Sequence, residues 1–255
     1  MIDAHCHIEQ KDFDDDRDLV IGNCKKGLKA IVTSCCHLND FQKTLNIVKK
    51  YNNFVFACFG LHPEYIKEIS EKDIEMFFSL VKENIDYVKA IGEVGLDYFW
   101  IKEDYWRNKQ KELFERMIEF ANEIKKPLVI HCRDAYEDAI KILEQEDAKN
   151  VLLHLFGALH LFKRINENNF KITIGPIIVK SNKHKEIVKL FDLEYLMTET
   201  DSPWNNPENP KARNSPLNVK IVCQKIAEIK KVSFEEVDLK TTENAIKFFS
   251  LTNED

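Results

Sequence analysis

The sequence predicts a single (β/α)8 barrel domain over residues 1–255, and two patterns point to it. First, apolar runs of strand length recur eight times, at residues 2–6, 28–35, 54–60, 87–94, 127–131, 150–154, 170–175 and 195–200. Most of these runs are continuously hydrophobic, which is typical of parallel strands buried on both faces. Second, the segments between the runs show helical periodicity, as expected for helices that cross from one strand to the next.

The helical pattern is clearest after the fourth run. Side chains spaced three and four apart form one stripe that would pack on the sheet: Trp106, Gln110, Leu113, Phe114, Met117, Ile118, Ala121 and Ile124. Residues that favour helix N-caps precede three other segments: Asn39 and Asp40, Ser70, and Ser233. The tail 251–255 is expected to fray.

A doubly wound open sheet is the alternative arrangement for this alternation. Residues of metal-binding type occur in or directly after runs one, four, five, six and eight. Only closure of the sheet brings the first and last strands side by side. The closed barrel is therefore favoured.

The composition fits one soluble domain with a large core. With 255 residues and 44% hydrophobic content, the chain can bury roughly 70–75% of its unfolded surface. The net charge of −6 and the pI near 5.8 give no overall attraction to a polyanion. A nucleic-acid partner would therefore have to be bound by a local basic patch.

Six residues at the ends of these runs are candidate metal ligands. A β/α barrel collects the C-terminal ends of its strands around one pocket, so residues far apart in sequence become neighbours there. The sequence therefore predicts one metal site from His5, His7, Glu93, His131, His154 and Asp201.

The individual signals differ in strength. His5 and His7 alternate along a strand and point to one face, although an isolated H-x-H is often only a pair of hydrogen-bonded histidines. Glu93 lies between glycines in an apolar strand, where an ionised carboxylate needs a cation or a donor; an ion pair with a lysine or arginine is the alternative. Glu199 shares a face with Asp201 and could add a ligand.

The seven cysteines lie mostly in apolar runs, without paired CxxC spacing, and indicate reduced core thiols. Cys6 and Cys132 are expected to face away from the metals because side chains alternate along a strand. No apolar window reaches the length of a membrane span, and the first strand begins without a charged leader. We therefore expect a soluble, cytoplasmic protein with no membrane association and no obligate protein partner.

Motifs along nearly the whole chain carry a family resemblance. They are IDAHCH (2–7), GLHP (60–63), AIGEVGLDY (90–98), PLVIHCRDA (127–135), TETDSP (198–203) and RNSP (213–216). Together they resemble the TatD-type metal-dependent deoxyribonucleases of the amidohydrolase superfamily. The resemblance implies an (α/β)8 barrel, two metals on the six ligands above, and hydrolysis of DNA phosphodiesters. One departure is HLFGA (154–158), where the family commonly has His-Cys-Phe followed by Ser or Thr and Gly; it leaves substrate preference open.

The chemistry also follows from the residues. Four imidazoles and two carboxylates can hold two divalent ions, which activate water and stabilise charge on a phosphoryl group. We expect His5, His7 and Asp201 on one ion, His131 and His154 on the other, and Glu93 between them as a catalytic ligand. Asp201 would also take the proton of the water. Imidazole-rich ligation favours zinc, manganese, cobalt or nickel; magnesium stays an alternative because it is abundant.

Other residues are candidates for binding substrate. Arg133 offers a planar fork to a phosphate and His62 a further donor. Basic residues follow the last two strands, whose loops often bind phosphate in barrels, although such charges can equally form a solvated surface. They are Lys180, Lys183, His184 and Lys185 after the seventh strand, and Lys211 and Arg213 after the eighth. Tyr98, in an aromatic loop with Trp100, could stack on a base. A narrow mouth favours single-stranded or frayed DNA ends and hence 3′–5′ exonuclease action over internal cutting.

Two other functions compete with this one. The same metal centre could hydrolyse a small amide, ester or phosphoester, or an ester on a nucleotide or tRNA, because such chemistry is shared across hydrolases of one fold. A binding protein with a structural metal is disfavoured because none of the six ligands is missing.

Overall fold

Eight strands form one parallel sheet in sequence order in the computed structural model, which describes residues 1–251. Each strand pairs in parallel with the next. They are β1 (Ile2–Cys6), β2 (Ala30–Cys35), β3 (Val55–Phe59), β4 (Val88–Asp97), β5 (Leu128–Arg133), β6 (Val151–Leu153), β7 (Lys171–Ile174) and β8 (Leu196–Thr198). This order confirms the predicted (β/α)8 barrel.

The barrel closes between β8 and β1 through hydrogen bonds just beyond β8. The amide of Asp201 donates to the carbonyl of His5 over 3.0 Å, and the amide of His7 donates to Ser202 over 2.7 Å. The buried carboxylate of Asp3 accepts from the amide and the hydroxyl of Thr200. The first and last strands therefore lie side by side, as the ligand pattern requires.

The helices pack around the outside of the sheet. They are α1 (Arg17–Cys24), α2 (Phe41–Lys50), α3 (Glu71–Glu83), α4 (Asp104–Glu123), α5 (Tyr136–Gln145), α6 (Phe162–Glu167), α7 (Asn182–Leu190), α8 (Val219–Lys230) and α9 (Phe234–Phe249). Ser70 and Ser233 cap their helices as predicted. Asp40 occupies the predicted N-cap position of α2, but its side chain makes no capping hydrogen bond. His37 Nδ1 instead accepts from the amide of Asn39 in the turn that precedes the helix.

Two apolar layers build the core. The larger lies between sheet and helices, and the smaller fills the barrel interior with side chains such as Ile2, Val32 and Phe56. Phe249 and Leu251 from the end of α9 join the inner layer beside Ile2, so α9 covers the N-terminal end of the barrel. Leu251 is 4% exposed, so the predicted fraying is wrong there; residues 252–255 lie outside the described part. None of the helices within residues 1–251 has the length and apolar character to cross a bilayer.

Gly95 shows how tightly the end of β4 is packed. Its φ is 138°, and an added Cβ would lie 2.1 Å from the carbonyl oxygen of His131. We expect Gly95→Ala to lower the free energy of unfolding by about 2–6 kcal/mol, the sum of backbone strain and overpacking. Urea unfolding followed by circular dichroism measures this loss. Gly22→Ala in α1 is the matched control because no atom lies within 4 Å of its added Cβ, and equal stabilities of the two variants would contradict the prediction.

Candidate metal centre

The structure brings the six predicted metal ligands together at the C-terminal end of the barrel. His5, Glu93 and His131 lie within β1, β4 and β5. The other three come after strands: His7 directly after β1, His154 directly after β6 and Asp201 shortly after β8. His131 is partly buried. The other five ligands are buried: His5, His7, Glu93, His154 and Asp201. Strand ends that converge therefore place all six in one cluster.

The carboxylate of Glu93 lies between two groups of imidazoles. Its Oε2 is 3.2 Å from His5 Nε2 and 3.5 Å from His7 Nε2. Its Oε1 is 2.9 Å from His154 Nε2 and 3.0 Å from His131 Nδ1. One carboxylate thus presents a separate oxygen to each group, which is the arrangement of a ligand shared between two sites.

Asp201 joins the first of these groups. Its Oδ1 is 3.4 Å from His7 Nε2 and 3.9 Å from His5 Nε2. The other oxygen accepts a hydrogen bond of 2.7 Å from the side chain of Asn205, which fixes the orientation of the carboxylate. Asp201 has a positive φ of 53°, so the chain turns sharply here as it leaves β8.

His62 lies against the second group and not at the pocket rim. Its Nε2 is 3.6 Å from Glu93 Oε1, and its ring packs edge-on against His131 at 4.2 Å. Nδ1 accepts from the amide of Glu64, so the proton of a neutral ring lies on Nε2. Burial, together with the neighbouring His131, lowers the pKa of His62 to about 4. His62 is thus a neutral donor beside the predicted ligands.

Polar residues that the sequence analysis did not single out hold the ligand rings. Nδ1 of His7 contacts the carbonyl oxygen of Ser34 at 2.8 Å and lies 3.5 Å from buried Glu9. Nε2 of His131 contacts Asp97 at 2.9 Å. Such partners orient metal-binding histidines. Glu9 could have been predicted from alternation, because it lies two residues after His7 and shares its face. The roles of Ser34 and Asp97 become visible only in the folded barrel.

Cys36 is a further residue of the site that no sequence pattern indicated. Its Sγ lies 3.3 Å from Glu93 Oε2 and 3.7 Å from His7 Nδ1. Cys6 faces away as predicted and packs in the outer layer, donating to the carbonyl of Val32. Cys132 also packs in the outer layer as predicted, although its residue borders the pocket where β5 runs on to Arg133. The seven cysteines are all free.

The electrostatics of the cluster call for positive charge. Burial alone would raise the pKa of Glu93, but the positive charges of His154 and His5 hold it well below its usual value. Burial opposes protonation of His154, yet Glu93 and Glu199 raise its pKa well above that of a free histidine. Carboxylates buried this deeply therefore stay ionised only beside cations.

The residues present fit divalent metal ions. Within residues 1–251, buried His154 Nδ1 and both oxygens of Glu199 have no hydrogen-bond partner. Imidazole nitrogens and carboxylate oxygens surround Glu93 on both sides, and one further group joins His5, His154 and Glu199. Such donor sets suit zinc and similar ions, which bind nitrogen and oxygen together.

A pocket of about 740 Å³ opens above the cluster. His62, Arg133 and two tryptophans line it, and Trp100 and Trp204 are 56% and 49% exposed. The guanidinium of Arg133 lies 3.6 Å from the ring centre of Phe99, which holds it at the pocket edge. The mouth therefore combines a cation with aromatic surface.

Three residues predicted to bind substrate do not line this pocket: Tyr98, Lys180 and Arg213. Tyr98 donates to Asp138 over 2.7 Å beyond the end of β4. Arg213 forms a two-point ion pair with Asp16, with distances of 2.7 and 2.6 Å. The positions of these three residues do not support the predicted contacts with substrate. Asp138 and Asp16 hold the side chains of Tyr98 and Arg213 away from the pocket. Lys183 and His184, which belong to the same predicted basic group as Lys180, do line the pocket.

Comparison with known proteins identifies the family of this chain. A family model described as TatD-related DNase matches residues 2–250. The chain belongs to the TatD-related DNase family. It is therefore a metal-dependent hydrolase of this family, as the motifs predicted.

Relatives of this family match along nearly their whole length. An uncharacterized metal-dependent hydrolase of Methanocaldococcus jannaschii is 38% identical over 249 residues, covering 97% of this chain and 96% of that protein. The deoxyribonuclease TATDN3 of Homo sapiens is 33% identical over 259 residues, covering 98% of this chain and 94% of that protein. The crystal structure of a TatD homologue from Escherichia coli superposes with a TM-score of 0.91 at 23% identity, covering 98% of each chain, and shows the same fold.

Proposed function

We propose that the protein hydrolyses phosphodiester bonds of DNA and removes nucleotides from the 3′ end of single strands or frayed duplexes. The observation that carries the proposal is the carboxylate of Glu93, placed between two imidazole groups at the base of an open pocket. The human relative, which is named a deoxyribonuclease, supports DNA as the substrate.

The residues divide into two metal sites. His5, His7 and Asp201 would hold one ion, His131 and His154 the other, and Glu93 both. Bound divalent ions would supply positive charge that lowers the pKa of a water and stabilises the phosphoryl transition state. The donor set favours zinc, manganese, cobalt or nickel over magnesium.

The remaining steps belong to side chains of the chain itself. Asp201, held by Asn205, is the carboxylate placed to accept the proton of the attacking water. Arg133 and the neutral His62 are donors for the non-bridging oxygens of the phosphate. The protein would thus provide both a base and phosphate donors in the lining of one pocket.

The shape of the pocket favours an unpaired end. A cavity of about 740 Å³ suits one or two nucleotides and not a duplex. Trp100 and Trp204 expose aromatic faces on which an unpaired base can stack. We place the reaction in the cytoplasm, a proposal supported by seven free, buried cysteines.

Cleavage of end-labelled oligonucleotides tests this proposal. The protein is loaded in turn with zinc, manganese, cobalt, nickel or magnesium and incubated with single-stranded, blunt duplex and closed circular DNA, with a chelator as control. We expect a ladder that shortens from the 3′ end, fastest on the single strand, and no product after chelation. Rapid cutting of circular DNA would contradict exonuclease action. Turnover of p-nitrophenyl esters alone would instead favour a small-molecule hydrolase.

A further inference from the structure

Three hydrogen-bond donors converge beside the metal centre at Gly157, in the loop that follows β6. A Cβ on Gly157 would lie 3.2 Å from Lys183 Nζ, 3.5 Å from Tyr136 Oη and 3.6 Å from His184 Nε2. All four residues line the pocket above the metal ligands. The glycine leaves this point open, and it is one of the positions at which the sequence departs from the family pattern.

Tyr136 presents a hydroxyl hydrogen to this point. The amide of Gly157 donates to Tyr136 Oη over 3.0 Å, so the hydroxyl itself is free to donate elsewhere. Burial raises the pKa of Tyr136 above its usual value, which keeps the phenol protonated. The side chain is therefore a donor.

His184 presents a second donor. It is 5% exposed, and its Nδ1 lies 2.8 Å from Ser181 Oγ. The hydroxyl of Ser181 can donate its hydrogen to Nδ1, and a neutral ring in that arrangement carries its proton on Nε2, the nitrogen nearest Gly157. Burial, and then the charge of Lys183, lowers the pKa of His184 to about 4, so the ring is neutral.

Lys183 adds a full positive charge. No carboxylate of residues 1–251 forms an ion pair with it, whereas Lys189 on the same helix pairs with Glu186. Lys183 and His184 also lie in the first turn of α7, where backbone amides favour a negative charge. One cation and two neutral donors thus face the same point.

We propose that this point binds a second phosphate of the substrate, the one next to the scissile phosphodiester in a DNA strand. The inference rests on the proposed function and adds to it a requirement for two neighbouring phosphates. Three donors around one point, one of them charged, match the acceptor oxygens of a phosphate. The subsite would bind the strand one nucleotide away from the metals and hold the scissile bond in register.

Dinucleotides test the subsite directly. The metal-loaded enzyme is given dTpdT, which has one phosphate, and pdTpdT and dTpdTp, which each carry a second phosphate at one end. We expect kcat/KM for one of the bisphosphorylated dinucleotides to exceed that for dTpdT about tenfold, the effect of one charged hydrogen bond. Equal rates for all three, with inhibition by inorganic phosphate alone, would mean that the point takes released phosphate and would overturn the proposal.

Two variants locate the effect. Gly157→Ala places a methyl group at the open point and displaces only the end of Lys183, and Lys183→Gln removes the charge. Both should reduce the tenfold preference to less than about twofold. Gly22→Ala and Lys189→Gln are the matched controls, since neither residue lines the pocket, and they should keep the preference. A preference that survives in Gly157→Ala and Lys183→Gln would refute the subsite.

A binding measurement separates this proposal from the proposed function. If no DNA is cleaved with any metal, the nuclease proposal fails, but calorimetry still reports on the subsite. Thymidine 3′,5′-bisphosphate should then bind about tenfold more tightly than thymidine 5′-monophosphate, and Lys183→Gln should remove the difference. Equal affinities in the wild type would reject the subsite independently of any activity.

Discussion

Glu93→Gln is expected to lower phosphodiester hydrolysis about a thousandfold and to reduce the metal content from two ions per chain to one or none. The two oxygens of Glu93 face different imidazole groups, and an amide replaces one of them with a neutral nitrogen that cannot bind a cation. The loss of several kcal/mol of charge stabilisation in the transition state corresponds to this change in rate.

Metal content and kinetics measured together check this expectation. Glu64→Gln is the matched control because Glu64 lines the same pocket but does not contact either imidazole group. It should bind as many ions as the wild type. A Glu93→Gln protein that retains two ions per chain and full activity would show that Glu93 is not the shared ligand.

The barrel itself could be read from the sequence because its strands are buried on both faces. Continuous apolar runs gave all eight strands, but their C-terminal ends were shifted. The sixth run was predicted to end at His154, but β6 ends at Leu153. The eighth was predicted to end at Thr200, but β8 ends at Thr198. In both places the chain turns into the pocket. Conversely, β4 extends to Asp97, three residues past its predicted end, and this extension places Asp97 beside His131.

The ligand cluster could also be predicted from the sequence, but the rest of the pocket could not. Strand ends converge in any barrel, so residue type and position were sufficient to group the ligands. Loop residues depend on long-range partners that no local pattern shows. Arg213, for instance, pairs with Asp16 far away in sequence, while Trp204 lies 5.0 Å from the ring of His7. Cys36 was assigned to the core because its contact with Glu93 depends on the closed sheet.

Asp201→Asn is expected to lower kcat about 10²- to 10⁴-fold, with a smaller loss of metal than in Glu93→Gln. The amide keeps an oxygen where Oδ1 faces His7, but it cannot accept a proton from water. Steady-state kinetics and metal analysis measure both quantities. Asp134→Asn is the matched control, since Asp134 lines the pocket without joining the cluster, and it should remain active.

The response of Asp201→Asn to added metal separates its two proposed roles. A variant that has only lost affinity for an ion recovers as the metal concentration rises, because saturation restores the occupied site. A variant that has lost its proton acceptor stays slow even when both sites are filled. We expect the second behaviour, since Asn205 holds a carboxylate that lines the pocket from which water would enter. Full recovery in excess metal would leave Asp201 as a ligand alone and would move the base to another residue of the pocket.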